Sequence, residues 1–257
     1  MERIFALLYG VVVYFFFFAT FLYFIGFVGD FIVPKTIDTG VTVSASLPAL
    51  VNIVLILVFA LQHSVMARPG FKKIWTRIIP AAIERSTYVL LSTILLIILM
   101  VYWQPMPSMI WDASGTSLGL ILTVVFWAGW GGLLASTFMI DHFDLFGLRQ
   151  VYMTFRKREL TRGEFHKRFF YKLVRHPIMT GFLIAFWATP VMTTGHLLFA
   201  LGMTVYVYIA VKVFEEKDLV AEIGQPYIEY QAEVGPFLPG IGKSRTTPKY
   251  VNSSVSQ

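Results

Sequence analysis

From Ile4 to Val28 the chain runs without a charged side chain, and an apolar stretch of about 20 residues is what a helix needs to cross a bilayer. Similar runs follow at Leu47–Met66, Thr87–Trp103 and Leu118–Ile140, with shorter ones at Ile178–Met192 and Leu197–Phe214. Within hydrocarbon every backbone N–H and C=O must be satisfied by the protein itself, so these segments are expected as helices. The predicted fold class is all-α: a polytopic transmembrane bundle of about six spans, the last two forming a tight hairpin, followed by a cytosolic C-terminal segment. Composition agrees, because 56% of the 257 residues are hydrophobic and only 14% charged, against roughly half and a quarter in soluble domains.

The net charge of +6 has a topological origin. With the N-terminus inside, all of the 21 Lys and Arg residues except Lys35 fall on the cytoplasmic side, the bias that sets orientation in membranes. Both termini are therefore expected in the cytoplasm of a multi-pass inner-membrane protein, and no nucleic-acid partner is implied. The first span is too long for a signal-peptide core, and the small residues Ser44–Ser46 lie well beyond it, so it is read as retained. Organisation follows as a four-span region (1–140), a cytoplasmic loop (141–177), a helical hairpin (178–214) and a cytosolic segment with a polar, disordered tail (215–257). The aromatic run Tyr14–Phe18 reads as lipid-facing or packing rings.

The absence of cysteine excludes disulfides, thiolate metal sites and cysteine nucleophiles. Among the histidines, 63, 142, 166, 176 and 196, no pair has the close helical spacing that builds a metal site from one element, so no metal is assigned. An approach of His63 to His142 in space leaves haem or a metal open. A transporter would place polar groups at mid-membrane on broken helices, where Asn52 is nearly alone.

Polar residues gather instead at the cytoplasmic span ends. Gln62, His63 and Arg68 close the second span; Glu84, Arg85 and Tyr88 open the third; Asp141, His142, Asp144 and Arg149 close the fourth; Arg175 and His176 open the fifth; the sixth runs into Lys212, Glu215 and Glu216. Ionisable groups at such positions usually serve a cavity or pathway, and these ends are expected to line one pocket. Lys212 with Glu215 and Glu216 also has the spacing of an ordinary helical ion pair. Pro177 suits the first turn of a helix, which sets Arg175 and His176 where backbone N–H groups favour an anionic ligand group. Gly181 permits close approach of a flat ring or another helix.

The Arg175-His176-Pro177 motif with Gly181, a hairpin, then Glu215-Glu216 with Leu219, Gly224, Tyr227, Tyr230 and Pro239, resembles the C-terminal signature of the isoprenylcysteine carboxyl methyltransferase superfamily. "LQHSVMARPGFK", "IERSTYVLLS" and "DHFDLFGLRQ" extend the likeness along nearly the whole chain to the bacterial methanethiol S-methyltransferase family. A related bacterial group tied to denitrification shares parts of it. The superfamily usually carries an aromatic residue in place of Met179 and Phe in place of Ile223.

The resemblance implies an S-adenosylmethionine-dependent enzyme of the membrane, with the cofactor between the hairpin and the C-terminal segment. It implies cofactor contacts from Arg175, His176, Pro177 and Gly181, with Glu215 and Glu216 on ribose hydroxyls or the amino group, and Tyr227 and Tyr230 closing over them. The expected reaction is methylation of a small thiol, methanethiol, to dimethyl sulfide; a lipid or isoprenoid acceptor is the alternative. A thiol with an ordinary pKa of roughly 8.5 needs a base or cation beside it. The candidates are His63 and His142, with Asp141 orienting an imidazole, and Arg85 held by Glu84.

Overall fold

The computed structural model describes residues 1–40, 47–160 and 169–244. The expectations about Ser44–Ser46, His166 and the polar tail fall on residues outside these ranges. Four apolar runs become long helices: α1 (Glu2–Gly29), α2 (Pro48–Ala67), α4 (Ala81–Tyr102) and α5 (Ser117–Ile140). A short helix, α3 (Pro69–Trp75), follows α2, and α6 (His142–Leu145) and α7 (Leu148–Phe155) follow α5.

The last two runs differ from the expected pair of short spans. The fifth holds α8 (Pro177–Trp187), about 16 Å long at 1.5 Å per residue and too short to cross alone. Pro190 cannot donate to a continuing helix, and the chain goes on in extended form to β2 (Val191–Thr193). There it pairs antiparallel with β1 (Met109–Asp112), a ribbon at the far end of the bundle that the apolar pattern did not foretell. The sixth run is a continuous 30-residue helical stretch, Thr194–Ile223. It comprises α9 (Thr194–Ile209), a π-helical segment (Ala210–Glu215) and α10 (Glu216–Ile223), so it passes through the division placed at 214. A final helix, α11 (Gln225–Glu233), folds back.

Among the described residues five helices are thus long and apolar enough to cross a membrane. Large side chains such as Phe5, Leu8 and Val12 on α1 and Leu120, Ile121 and Val124 on α5 stand exposed along them, a surface area of apolar groups that belongs against lipid rather than water. The chain is a multi-pass membrane protein with a polytopic helical fold.

Neighbouring helices pack in the order α5, α8, α9, α2, α4, α1. The ring closes where Phe21 and Phe24 of α1 meet the Trp130 indole edge-on, at 5.4 and 5.9 Å. Trp130 also faces Phe126, Phe182 and Phe186, an edge-to-face cluster worth more than its area alone. At the ribbon end, Asn52 and Gln104 exchange two hydrogen bonds of 2.8 Å, side chain to backbone. Asn52 is therefore a satisfied brace near the start of α2.

Between α5 and α8 the backbones nearly touch. A Cβ on Gly181 would meet Gly129 O at 2.8 Å and Leu133 N at 2.9 Å, and one on Gly129 would meet Ala185 N and Gly181 O at 2.9 Å. Backbone cannot yield as a side-chain tip can, so Gly181→Ala should destabilise the bundle by about 1–3 kcal/mol. Gly132→Ala, which would meet nothing within 4 Å, serves as the control. Thermal melting in detergent reads the difference: a clear drop for Gly181→Ala and none for Gly132→Ala is expected.

Candidate active site

The Arg175-His176-Pro177 motif sits where α8 begins, and the chain beyond α11 returns to cover it. Arg175 N donates to Gly235 O at 2.9 Å and His176 N to Pro236 O at 3.0 Å, beside a parallel bridge between Val174 and Gly235. The Thr180 hydroxyl donates to Phe237 O at 2.9 Å. Side chains deepen the join. Arg175, only 4% exposed, donates through Nε to Glu216 Oε1 at 2.8 Å, through a second nitrogen to the same oxygen, and through the third to Gln231 O and Val234 O. With four of its five N–H groups engaged in this way, Arg175 is a clasp between α8, α10 and the returning segment.

Glu216 is equally committed, since Lys212 Nζ lies 3.0 Å from its second oxygen, the i, i+4 pair that the sequence spacing suggests. Glu215 is freer: its closest ionic partner is His176 Nδ1 at 3.6 Å, and its side chain is 38% exposed. The π-helical segment is what presents these carboxylates together, because its wider turn shifts the register just before Glu216; such segments recur at functional sites. His176 is buried between them, with Nε2 3.5 Å from Glu216 Oε1. Burial by itself would depress the imidazole pKa, but the two carboxylates outweigh it and hold His176 above its ordinary value.

Tyr230 bolts α11 down by donating to Tyr171 O, and its ring meets that of Tyr227 edge-on at 5.8 Å. Both are buried, which pushes the Tyr230 phenol up to about 12 and raises Tyr227 as well. Ile223, where the superfamily usually has Phe, packs with this pair and Val234. Pro177 starts α8 as expected, whereas the close approach allowed by Gly181 is to α5 rather than to a ring.

A second polar group faces the same end of the bundle. His63 lies between the Phe59 ring, stacked at 5.4 Å, and the Tyr88 ring at 5.2 Å. Its Nδ1 is 3.2 Å from Ser92 Oγ, and Ser92 donates to Gln62 Oε1 at 3.3 Å. The charges that reach His63 are those of Arg85, Glu215 and Arg68, which links this group to the carboxylates beside His176. Arg68 ties the two helices that carry these groups: it pairs with Asp218 at 2.6 Å and lies over the Phe214 ring.

Other candidates are engaged elsewhere. Asp141 does not orient His142; its carboxylate pairs with Arg149 at 2.6 Å and accepts from Asp144 N as the cap of α6. His142 instead lies between Tyr14 Oη and Thr137 Oγ1, each at 2.8 Å, and stacks on Phe138 at 4.2 Å. Both nitrogens are taken, and burial lowers its pKa despite the nearby Asp141. His63 and His142 thus have separate partners. Nor does Glu84 hold Arg85: neighbours on a helix point apart, one Glu84 oxygen is buried without a hydrogen bond, and Arg85 Nε donates to Leu145 O at 2.8 Å. His196 is a far-end residue bonded to Phe186 O. Among the described residues no cluster of three His, Asp or Glu side chains is placed to hold a metal ion.

The raised His176 pKa makes a signed prediction. Its protonation stabilises the covering segment fully below the unfolded imidazole pKa near 6.5, and that share is lost as pH rises through the folded value. Limited proteolysis beyond Gly224 should accordingly be slower at pH about 6 than at about 8.5, with the contrast flattened in His176→Gln. Glu216→Gln, which strands a buried guanidinium, should weaken the join by about 3–5 kcal/mol and speed cleavage at both pH values.

Comparison with known proteins now bears on this arrangement. The NnrU protein family profile matches residues 51–240, most of the chain. A protein named methanethiol S-methyltransferase from Mycobacterium tuberculosis is 50% identical over 93% of this chain and 98% of its own. Methanethiol S-methyltransferase 2 from Bradyrhizobium diazoefficiens is 49% identical over 95% and 94%. Nurim from Danio rerio is 30% identical over 62% of this chain and 61% of its own. No solved structure matches. The chain belongs to the NnrU protein family, and it shares its near-full-length pattern with relatives that carry the methanethiol S-methyltransferase name.

Proposed function

We propose that the protein transfers a methyl group from S-adenosylmethionine to methanethiol, releasing dimethyl sulfide, at the bundle end where Arg175, Glu215 and His63 converge. The observation that carries this reading is identity of about one half with the methanethiol S-methyltransferases over nearly the whole chain. The asymmetry of Lys and Arg supports a site and both termini on the cytoplasmic face of a bacterial inner membrane.

The residues present suit such a donor. Glu215 offers a half-exposed carboxylate with only a long contact to His176, fitted to ribose hydroxyls or an ammonium group. Phe214, Tyr206 and Phe237 bring aromatic faces to the same end, which suit a sulfonium cation. S-adenosylmethionine supplies an electrophilic methyl group on a positively charged sulfur. Arg175 and Glu216 set the geometry without needing to touch it, and Tyr227 and Tyr230 hold the cover in place.

Charge disappears as the methyl moves, so the protein gains most by aligning donor and acceptor. Its remaining task is to supply a thiolate. His63 takes the thiol proton, and Arg85, whose guanidinium lies over the Tyr88 ring beside His63, supports the resulting negative charge. His142, saturated by Tyr14 and Thr137, braces α1 against α5. A small thiol partitions into the bilayer and reaches the site between helices.

Membranes containing the protein, given methanethiol and S-adenosylmethionine, should release dimethyl sulfide measurable in the headspace. His63→Ala should lower turnover by about 100-fold or more with donor binding intact, while His142→Ala should cost stability and keep most turnover per folded molecule. Methylation of a lipid extract with no product from methanethiol would replace the thiol with a lipid acceptor.

A further inference from the structure

The polar contacts of His63 settle more than its location. Gln62 Nε2 donates to Met66 Sδ at 3.0 Å, which fixes the amide so that its oxygen faces Ser92. A carbonyl oxygen only accepts, and a serine hydroxyl has one proton. The 3.3 Å contact between Ser92 Oγ and Gln62 Oε1 uses that proton. At 3.2 Å from His63 Nδ1, Ser92 Oγ is left to accept, so the imidazole must donate. Tyr88 also hydrogen-bonds Ser92, but its one proton goes to His63 O at 3.3 Å, so toward Ser92 it only accepts and supplies no proton to the count. The other ring nitrogen, Nε2, has no hydrogen-bond partner, and it is not among the buried polar atoms sealed without one.

We propose that Ser92 and Gln62 are positioning residues that hold neutral His63 as its Nδ1–H tautomer, so that Nε2 presents a lone pair to the acceptor thiol. This inference rests on the thiol methyltransferase reading and adds two residues of α4 and α2 to it. In the step they serve, the thiol proton passes to His63 Nε2 and the sulfur keeps the electron pair of its S–H bond. That pair forms the new bond to the methyl carbon as the donor's carbon–sulfur bond breaks, its electrons staying on the departing sulfur. The donor's positive charge is thereby cancelled, and the proton on His63 leaves to water. Neutral histidine in water favours the opposite, Nε2–H form, so the tautomer is a diagnostic feature of this site.

Two measurements on the full-length protein in detergent test the proposal. Nitrogen-15 NMR of histidine-labelled protein, with His63 assigned by its loss in His63→Gln, should show the Nδ1–H pattern in the wild type and in Ser92→Thr. In Gln62→Leu the freed hydroxyl proton should turn to Nδ1 and shift the signal toward the Nε2–H form. Turnover supplies the second readout. Ser92→Ala and Gln62→Leu should lower kcat for ethanethiol about 10-fold or more, with KM and donor affinity little changed. The loss should be under about 3-fold for 2,2,2-trifluoroethanethiol, which ionises more readily and depends less on a base, and Ser92→Thr should restore most activity.

An Nε2–H signal in the wild type overturns the proposal, as does an equal loss with both thiols in Ser92→Ala and Gln62→Leu. A wild-type protein that binds the donor but methylates no thiol overturns the functional reading instead; the tautomer signal still judges the Ser92 and Gln62 assignment, so the two failures are told apart.

Discussion

A buried ion pair organises the functional end of this protein. Arg175 and Glu216 are almost wholly enclosed, and burying two charges is favourable only when their remaining donors and acceptors are also met. Here nearly all are: Lys212 shares Glu216, and Gln231 O and Val234 O bring the engaged N–H groups of Arg175 to four of five. Four stretches, the loop before α8, the π-helical segment with the start of α10, α11 and the chain just beyond it, are thereby forced into one arrangement. An apolar contact of equal area would tolerate slippage, whereas a planar guanidinium with fixed donor directions does not.

The same arrangement explains how a membrane protein can keep an imidazole and a partly exposed carboxylate close to its bilayer-facing helices. Glu216 absorbs the positive partners, which leaves Glu215 open, and His176 lies between the two. Arg68 reaches across from α2 to Asp218 on α10, so the helix bearing His63 and the helix bearing the carboxylates are tied at their ends. Chemistry on a small thiol needs alignment more than charge stabilisation, and rigid ties of this kind provide it. The α5–α8 crossing contributes from below, because Gly129 and Gly181 let α8 sit deep enough for its first residues to meet the returning chain.

Much of this was legible in the sequence. Uncharged runs located the long helices, since hydrocarbon allows no other backbone solution, and the Arg-His-Pro and Glu-Glu motifs marked the two halves of the clasp. What stayed hidden depends on how helices rotate and where they bend. A run such as Ile178–Met192 reads as one apolar segment, yet Pro190 and pairing with β1 divide it into a short helix and a strand. The π-helical segment has no compositional mark. The motifs did not show that Arg175 also holds the returning chain or that Gly181 packs on α5. Asp141 and His142 are adjacent in sequence, and only the cap at α6 and the Arg149 pair show that their side chains have different employers. Gln62 stood out beside His63 at a span end, but Ser92 looked like an ordinary polar residue in an apolar helix until its contacts with both were visible.

The central claim is that this end of the bundle brings a methyl donor and a thiol into line. It is tested most directly by giving the full-length protein S-adenosylmethionine with a trideuterated methyl group, together with unlabelled methanethiol, and weighing the volatile product by mass spectrometry. The account predicts dimethyl sulfide carrying three deuterium atoms, formed only in the presence of the folded protein. Absence of the labelled sulfide, with the deuterated methyl recovered unchanged in the donor or in lipid, would contradict it.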